Sequence, residues 1–326
     1  MTHKDIFEPS LEDNFLHGTR EEFNLLFHNS PKDKLIFKKD SISELLQGLI
    51  DFHIHPGPES GSNRVYDDDE IALEAAKQGL KAIVFKCHSA PSYIRASLIQ
   101  KSINKWAEEN GKKPLDVVGG VVLNYAVGGL NPRAVEVCAD LGGRLVWLPS
   151  INASHYYAVM GKEGGIEVLD DKGEVVPELL SVMEVVRDNN LILVLAHQSV
   201  YERFVVIKKA KEMGVKKILI SHPLGTVNRA TPEQIKEMVD MGAYAAVTYN
   251  TSFPNLYQRG NIPGTLKLFE LAGFDKLVGG SECSQLGTSS PAAGMELFLR
   301  TLLLLGISKE NIRTMLDKTP SKLLYE

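Results

Sequence analysis

Short apolar runs rich in valine, isoleucine and leucine recur along the chain, and amphipathic stretches of helix length separate them. Apolar strands that alternate with helices are typical of a parallel sheet covered on both faces. Eight runs fit this pattern: Ile50–His55, Ala82–His88, Val117–Asn124, Arg144–Pro149, Leu191–His197, Lys217–His222, Ala243–Tyr249 and Lys276–Glu282.

The number and spacing of these runs predict the fold class. Eight strand–helix units over residues 50–326 match a (β/α)8 TIM barrel in number and in length. A doubly wound open sheet is the alternative. Such sheets usually carry a glycine-rich phosphate loop after an early strand, and no G-x-G-x-x-G motif occurs in this chain. The sequence therefore predicts an α/β barrel.

Two stretches fall outside the repeat. Residues 1–45 are polar with scattered phenylalanines, and they predict an N-terminal helical arm before a barrel that spans residues 46–326. Residues 150–180 form the longest connection. The alternation in IEVLDDKGEVV, with its D-K-G turn, predicts a β-hairpin inserted after the fourth strand. Long loops after barrel strands usually build the mouth of an active site.

Composition narrows the class of protein. The 326 residues carry 36 Lys+Arg against 41 Asp+Glu, and 44% are hydrophobic, which is an ordinary globular composition. The mild acidity, without a basic block, argues against binding to nucleic acid or to an anionic membrane. No apolar run is long enough for a membrane span, the N-terminal residues do not resemble a signal peptide, and three cysteines are too few for a disulfide scaffold. These features predict a cytoplasmic protein with reduced cysteines.

Histidines cluster at the ends of the predicted strands. His53 and His55 end the first, His88 the second, His197 the fifth and His222 the sixth, while His155 lies just beyond the fourth. In an α/β barrel these ends converge on one face, where active sites form. A single histidine at a strand end can equally cap a backbone group or line a wet pocket. The cluster of histidines is therefore stronger evidence for an active site than any one of them.

The H-x-H pair predicts a metal site. His53 and His55 are two residues apart on a strand, so their imidazoles point to the same side. His197, His222 and the carboxylate of Glu282, which ends the eighth strand, can reach the same ion. Imidazole ligands suit Zn²⁺, the commonest choice, and also Mn²⁺, Fe²⁺ and Ni²⁺.

On these residues the sequence resembles the amidohydrolase superfamily of metal-dependent hydrolases. The likeness covers the D-x-H-x-H opening and the strand ends at His197, His222 and Glu282. More closely, the sequence resembles an uncharacterised amidohydrolase-like family with a D-x-H-x-H-P-G-P opening. The matching segments are Asp51–Pro58, Lys86–His88, Leu123–Pro132, Val146–Pro149 and Ser281–Gln285.

The resemblance implies a hydrolase that acts on a C–N or C–O bond of a small molecule, such as a cyclic amide or a lactone. In such a hydrolase we expect His53, His55 and His197 to hold one divalent metal and Glu282 to move the proton of the attacking water. His222 is expected either to ligate the metal or to polarise the substrate. The superfamily usually has Asp where Glu282 stands. The fourth strand also lacks the bridging Lys or Glu of binuclear members, so one metal is expected.

Other candidate residues have alternative roles. Lys86 and His88 share a strand face and are predicted to stabilise the oxyanion. Lys86 can otherwise bridge two metals as a carboxylated lysine, bind an anionic substrate group, or pair with an acid. Arg64, Asn124 and His155 are predicted to bind substrate, although a solvated arginine fits Arg64 equally well.

Two rival functions remain open at this point. A metal-dependent decarboxylase acting on a small carboxylic acid is the alternative enzyme, since a cation such as Lys86 or Arg64 can hold the departing carboxylate. A non-catalytic metal-binding protein is the third. By analogy of fold alone, a homo-oligomer is expected.

Overall fold

The computed structural model describes residues 39–255 and 259–326. Their strands are β1 Ile50–Ile54, β2 Ala82–Phe85, β3 Asp116–Val118, β4 Gly120–Val122, β5 Leu145–Trp147, β6 Ile192–Leu195, β7 Lys217–Ile220, β8 Tyr244–Thr248 and β9 Leu277–Gly280. Each strand is shorter than its predicted run, so the site histidines and Glu282 lie at strand ends or directly after them.

Helices alternate with these strands, as predicted. They are α1 Lys39–Leu46, α2 Asp68–Gln78, α3 Ser92–Glu109, α4 Pro132–Asp140, α5 Ser154–Val159, α6 Pro177–Asp188, α7 Val200–Glu212, α8 Pro232–Asp240, α9 Tyr249–Ser252, α10 Ile262–Ala272, α11 Pro291–Leu304, α12 Lys309–Arg313 and α13 Thr319–Tyr325. Short 3-10 turns span Tyr125–Val127 and Phe274–Lys276, and a π-helical segment spans Thr314–Lys318. No helix of the described part is long and apolar enough to cross a membrane.

The strands form two parallel sheets in chain order. One contains β1, β2 and β3, and the other runs from β4 to β9. All paired neighbours are parallel. The α/β class with parallel sheets is therefore confirmed. A single closed eight-stranded barrel is not detected among the described residues, and its closure stays a prediction.

The two sheets separate where one predicted strand breaks. Val117–Asn124 was expected to be continuous, but it splits at Gly119 into β3 and β4. The start of α3 packs into this break, because the N–H of Gly120 donates to Ser92 Oγ at 3.0 Å, and Ser92 Oγ donates to Gly120 O. A Cβ on Gly120 would lie 2.0 Å from the carbonyl oxygen of Leu145, so only glycine fits.

At the other junction, β1 lies beside the end of β9. The N–H of Glu282 donates to the carbonyl of His53 at 2.8 Å. Asp51 Oδ1 accepts the N–H of Ser281 at 2.7 Å. We refer to this contact as the β1–β9 seam. It brings the H-x-H pair next to Glu282.

An inner core of alternating strand residues supports the site from below. It includes Ile50, Phe52, Ala82, Val84 and Val278, whereas Ile54 packs in an outer cluster with helix residues. The register of β1 shifts between Asp51 and Ile54, which indicates a bulge. The bulge changes the alternation, so that His53 follows the inward-facing Phe52 and also lines the interior.

The predicted arm and insertion are only partly described. Residues 1–38 of the arm lie outside the described residues, and α1 buries Ile42 and Leu45 in the outer cluster. In the insertion the chain reverses through one antiparallel bridge between Leu169 and Val175, without a named strand. The D-K-G segment thus makes the expected reversal, but the predicted strands are not formed.

Candidate metal centre and active site

Seven predicted site residues meet at the carboxyl ends of the strands. Six of them are buried, and one, His197, is half-buried: the six are His53, His55, Lys86, His88, His222 and Glu282. The imidazole centroids of neighbouring histidines are 4.8 to 5.8 Å apart, in a chain of contacts from His88 through His55, His53 and His222 to His197. The structure therefore brings together side chains from β1, β2, β6, β7 and β9.

His53, His55 and Glu282 form the tightest candidate ligand group. One ligand atom from each lies within 4.8 Å of the other two. The two Nε2 atoms are 3.1 Å apart, so they can share one proton or one metal ion. Burial lowers the pKa of both imidazoles well below 6.5, which keeps them neutral, the form that ligates a metal. Two imidazoles and a carboxylate are a donor set that fits Zn²⁺.

A second group shares one member with the first. The ligand atoms of His55, Glu59 and His88 also lie within 4.8 Å of one another. Glu59 is occupied, however, because its Oε2 accepts two hydrogen bonds from Arg64 and its Oε1 accepts the N–H of His88. One metal therefore remains the expectation from the geometry.

One oxygen of the Glu282 carboxylate accepts a hydrogen bond, and the other faces His222. Thr248 Oγ1 donates to Oε2 at 2.5 Å, and Oε1 lies 3.8 Å from His222 Nε2. Burial raises the pKa of the carboxyl group, while the hydrogen bond from Thr248 acts in the opposite direction. The backbone of Glu282 has φ 54° and that of His222 has φ 29°, in the left-handed region that non-glycine residues rarely adopt. Both strand ends are bent where the side chain turns into the site.

Asn228 determines which nitrogen of His222 carries the proton. Its Nδ2 lies 3.3 Å from the carbonyl oxygen of His222 and 3.2 Å from His222 Nδ1. Because the carbonyl can only accept, Nδ2 is the donor, and Nδ1 therefore accepts. Burial lowers the pKa of His222 well below 6.5, so the neutral ring carries its proton on Nε2. This N–H is directed toward the Glu282 side of the site, which favours a donor role over metal ligation.

His197 lies at the edge of the cluster. It belongs to neither group of converging ligand atoms, although its ring is 5.3 Å from that of His222. The ring of Tyr156, from α5, stacks on it at 5.1 Å. The loop after the fourth predicted strand thus covers this part of the site.

Lys86 is a buried cation in the same cluster, with 1% of its surface exposed. Burial lowers its pKa to about 8, and the nearby Glu282 and Glu59 carboxylates act against that shift. Lys86 continues the alternation of Ala82 and Val84, and it lines the cavity with His88, which confirms the predicted shared face.

The three predicted substrate-binding residues have protein partners. Arg64 donates from Nε and Nη2 to Glu59, and Nη2 lies 3.3 Å from His55 Nδ1. Asn124 Nδ2 donates to the carbonyl of His88 at 3.0 Å. His155 Nε2 lies 3.1 Å from the carbonyl of Val227. These contacts support the walls of the site and its loops.

Two adjoining cavities open above the cluster. The inner one, of about 180 Å³, is lined by Lys86, four histidines and Glu282. The outer one, of about 420 Å³, is lined by Arg64, Asn250 and Leu286 among others. Glu282 and Gln285 line both cavities, so a small molecule can extend from one into the other.

Sequence reasoning missed several supporting residues. Glu59, Asn228, Thr248 and Gln285 contact or adjoin predicted site residues, yet the prediction assigned none of them a role. Glu59 directly follows the D-x-H-x-H-P-G-P segment, and this position was a usable signal. Thr248 ends β8 within a predicted strand, so its place at a strand end was also a usable signal. Asn228 and Gln285 depend on loop conformations that strand periodicity does not encode.

Solved structures share this fold. An amidohydrolase from Pseudomonas aeruginosa aligns with a TM-score of 0.58 and 14% identity, over 87% of this chain and 98% of that chain. A putative 2-pyrone-4,6-dicarboxylic acid hydrolase from Pseudomonas putida aligns with a TM-score of 0.56 and 15% identity, over 85% of this chain and 97% of that chain. A 2,6-dihydroxybenzoate decarboxylase, solved with 2,6-dihydroxybenzoate, aligns with a TM-score of 0.53 and 9% identity, over 86% of this chain and 100% of that chain. At these identities the likeness shows a common fold.

Comparison at the level of sequence gives the family. No curated protein matches the chain. The model of a family of unknown function, DUF6282, matches residues 48–246. This match spans more than half of the chain and includes the H-x-H pair, Lys86, His88, His197 and His222, so the chain belongs to the DUF6282 family.

Proposed function

We propose that this chain is a metal-dependent hydrolase that cleaves a C–N or C–O bond in a small molecule, such as a cyclic amide or a lactone. The observation that carries the proposal is the buried convergence of His53, His55 and Glu282 at the strand ends. The fold shared with amidohydrolases supports it. The proposal treats the two sheets as arcs of one (β/α)8 barrel.

His53 and His55 would hold the metal, and His197 would complete the set, with Glu282 as the nearest other donor. A divalent ion such as Zn²⁺ supplies Lewis acidity, which lowers the pKa of a water and polarises a carbonyl. Mn²⁺, Fe²⁺ and Ni²⁺ suit the same donors. The neutral state of the buried histidines supports this assignment, since an imidazolium cannot ligate.

The side chains around the ligands have separate tasks. Glu282 accepts the proton of the attacking water and passes it to the leaving group. Its raised pKa matches this exchange, because burial makes the carboxylate a stronger base. His222 donates its Nε2–H to the carbonyl oxygen of the substrate as negative charge develops there. His88, whose Nδ1 contacts Ser150 Oγ at 2.8 Å, lines the same cavity and offers the substrate a second polar contact.

A decarboxylase acting on a small carboxylic acid is the second candidate. It is favoured by the buried ammonium of Lys86 in the inner cavity, which can hold a departing carboxylate. A decarboxylase is also among the proteins that share the fold. Both candidates use the same ligand residues and differ in the bond that breaks.

The test is an assay of zinc-loaded protein against panels of lactones, cyclic amides and aromatic acids. We expect hydrolysis within the first two panels. A His53→Ala/His55→Ala variant should lose both zinc and turnover, because too few ligands remain. Release of CO₂ from an aromatic acid, without hydrolysis of any lactone or amide, would favour the decarboxylase. A double variant with unchanged zinc content would contradict the metal assignment.

Location and assembly remain proposals. We expect a cytoplasmic protein with a small-molecule substrate and neither a nucleic-acid nor a membrane partner, on the grounds of charge and composition given above. A homo-oligomer is expected by analogy of fold alone.

A further inference from the structure

Lys86 is a buried cation with no acidic hydrogen-bond partner among the described residues. Its main-chain N–H donates to the carbonyl of Ile54 at 2.8 Å, which extends the pairing of β2 with β1. Its side chain then enters the inner cavity, where it is among the largest fully buried side chains. No carboxylate oxygen of the described residues lies within 4.0 Å of its Nζ, and none of them accepts a hydrogen bond from it.

This isolation is unusual on physical grounds. Burying an ammonium without a hydrogen-bonded counter-charge is strongly unfavourable, so buried lysines are normally paired. The two nearest acids are already engaged, since Glu59 accepts from Arg64 and Glu282 accepts from Thr248. The alternative of a Lys86 ion pair with Glu282 or Asp51 is therefore not formed among the described residues.

With a divalent metal ion bound, the charges around the inner cavity would favour binding of an anion. The cations of Lys86 and Arg64 are balanced by the carboxylates of Glu59 and Glu282. A divalent ion on the H-x-H pair would add two positive charges to this buried set. A substrate that brings a negative charge into the inner cavity offsets this excess, whereas a neutral substrate does not.

We infer that Lys86 is the binding site for a carboxylate of the substrate, so that the natural substrate is a small carboxylic acid. The carboxylate sits on Nζ in the inner cavity of about 180 Å³, and the rest of the molecule extends past Gln285 into the outer cavity. Lys86 is then a specificity-determining residue and does not stabilise the oxyanion. This inference rests on the proposed function only for the identity of the pocket as the substrate site.

The experiment measures equilibrium binding of benzoate and of benzamide, which has the same size and no charge. Titrations use protein with zinc and protein without metal, so the contribution of Lys86 is separable from that of the ion. We expect Lys86→Met to weaken benzoate binding about tenfold or more, the loss typical of one charge-assisted hydrogen bond. Benzamide binding and zinc content should change less than about twofold.

Two controls keep the result interpretable. Lys113→Met removes a lysine from an exposed loop and should leave both affinities unchanged. Lys86→Gln keeps a hydrogen-bond donor without the charge, and it should resemble Lys86→Met if charge is what matters. If a Lys86 variant still binds benzamide, its pocket is folded.

Two outcomes would overturn the inference. The first is unchanged benzoate binding in a Lys86→Met protein that still binds benzamide. The second is a carbamate signal on Lys86 in protein equilibrated with ¹³C-bicarbonate, together with two zinc ions per chain, which would make Lys86 a metal-bridging ligand. Neither readout uses turnover, so a failure of the proposed hydrolase activity is distinguishable from a failure of this inference.

Discussion

At the scale of single residues, the site depends on a carboxylate and an imidazole held in left-handed backbone. Glu282 and His222 are both in this region, and each is held by one uncharged neighbour, Thr248 or Asn228. Backbone strain at two strand ends is unfavourable by about 1–3 kcal/mol each, and such strain clusters at functional sites. These two positions are therefore the most informative for substitution.

Glu282→Gln separates proton transfer from metal binding. The amide keeps the size and the hydrogen bond with Thr248, but it accepts no proton, so kcat should fall about 10²–10⁴-fold while zinc content stays near that of the unchanged protein. Metal analysis and steady-state kinetics are measured on the same samples. Glu163→Gln, on an exposed loop, is the matched control. Loss of zinc together with activity would show that Glu282 is a ligand.

Asn228→Asp tests the proton position on His222. A carboxylate at 228 can only accept, so it should draw the ring proton from Nε2 to Nδ1 and remove the donor that faces the substrate. Two-dimensional ¹H–¹⁵N spectra of the imidazoles report the tautomer directly. We expect Nε2–H in the unchanged protein and Nδ1–H in the variant. A ring already protonated on Nδ1 before substitution would refute the role given to Asn228.

At the scale of elements, the periodicity of apolar residues predicted the positions of the strands and the direction of their side chains. Apolar runs located every strand, and alternation placed Lys86 with His88, because a strand fixes side-chain direction every second residue. The break at Gly119 and the bulge in β1 were not predictable in this way. The first depends on Ser92 from a helix and the second on pairing between strands, and both are tertiary contacts.

Strand periodicity also does not encode which side chains hydrogen-bond to the site residues, because those contacts come from loops and from distant strands. Arg64 was considered as a substrate clamp, and its engagement with Glu59 follows from a loop whose course no local pattern encodes. The convergence of His53 with Glu282 was inferred from the expected neighbourhood of the first and last strands, and it is formed across the β1–β9 seam.

Gly120→Ala tests the close contact between β4 and β5 beside the break. The added methyl group would lie against the carbonyl oxygen of Leu145, a main-chain atom that cannot move without shifting β5. The free energy of unfolding should fall by about 1–3 kcal/mol, as for other overpacked interiors. Denaturant unfolding measures the change. Gly111→Asn, in a turn with open space around it, should have a much smaller effect. Equal stability of the two variants would contradict the tight contact.

At the scale of the whole molecule, metal binding should stabilise the fold. An ion that binds only the folded state adds about 2.7 kcal/mol when its concentration is 100-fold above the dissociation constant. For a chain of this size the melting temperature should rise by several degrees, at roughly 2–4 °C per kcal/mol. Calorimetry with zinc and then with excess chelator measures the shift. The His53→Ala/His55→Ala protein should show none, and an equal shift there would place the ion elsewhere.

The β1–β9 seam also has a consequence for biosynthesis. Asp51 and Ser281, which bond across it, are 230 positions apart in the chain. A nascent chain leaves the ribosome from its N-terminal end, so the H-x-H pair emerges long before Glu282. An ion captured early would meet two imidazoles without the carboxylate that takes up the proton. On the proposed function, catalytic competence therefore arises only once β9 has been synthesised and docked against β1.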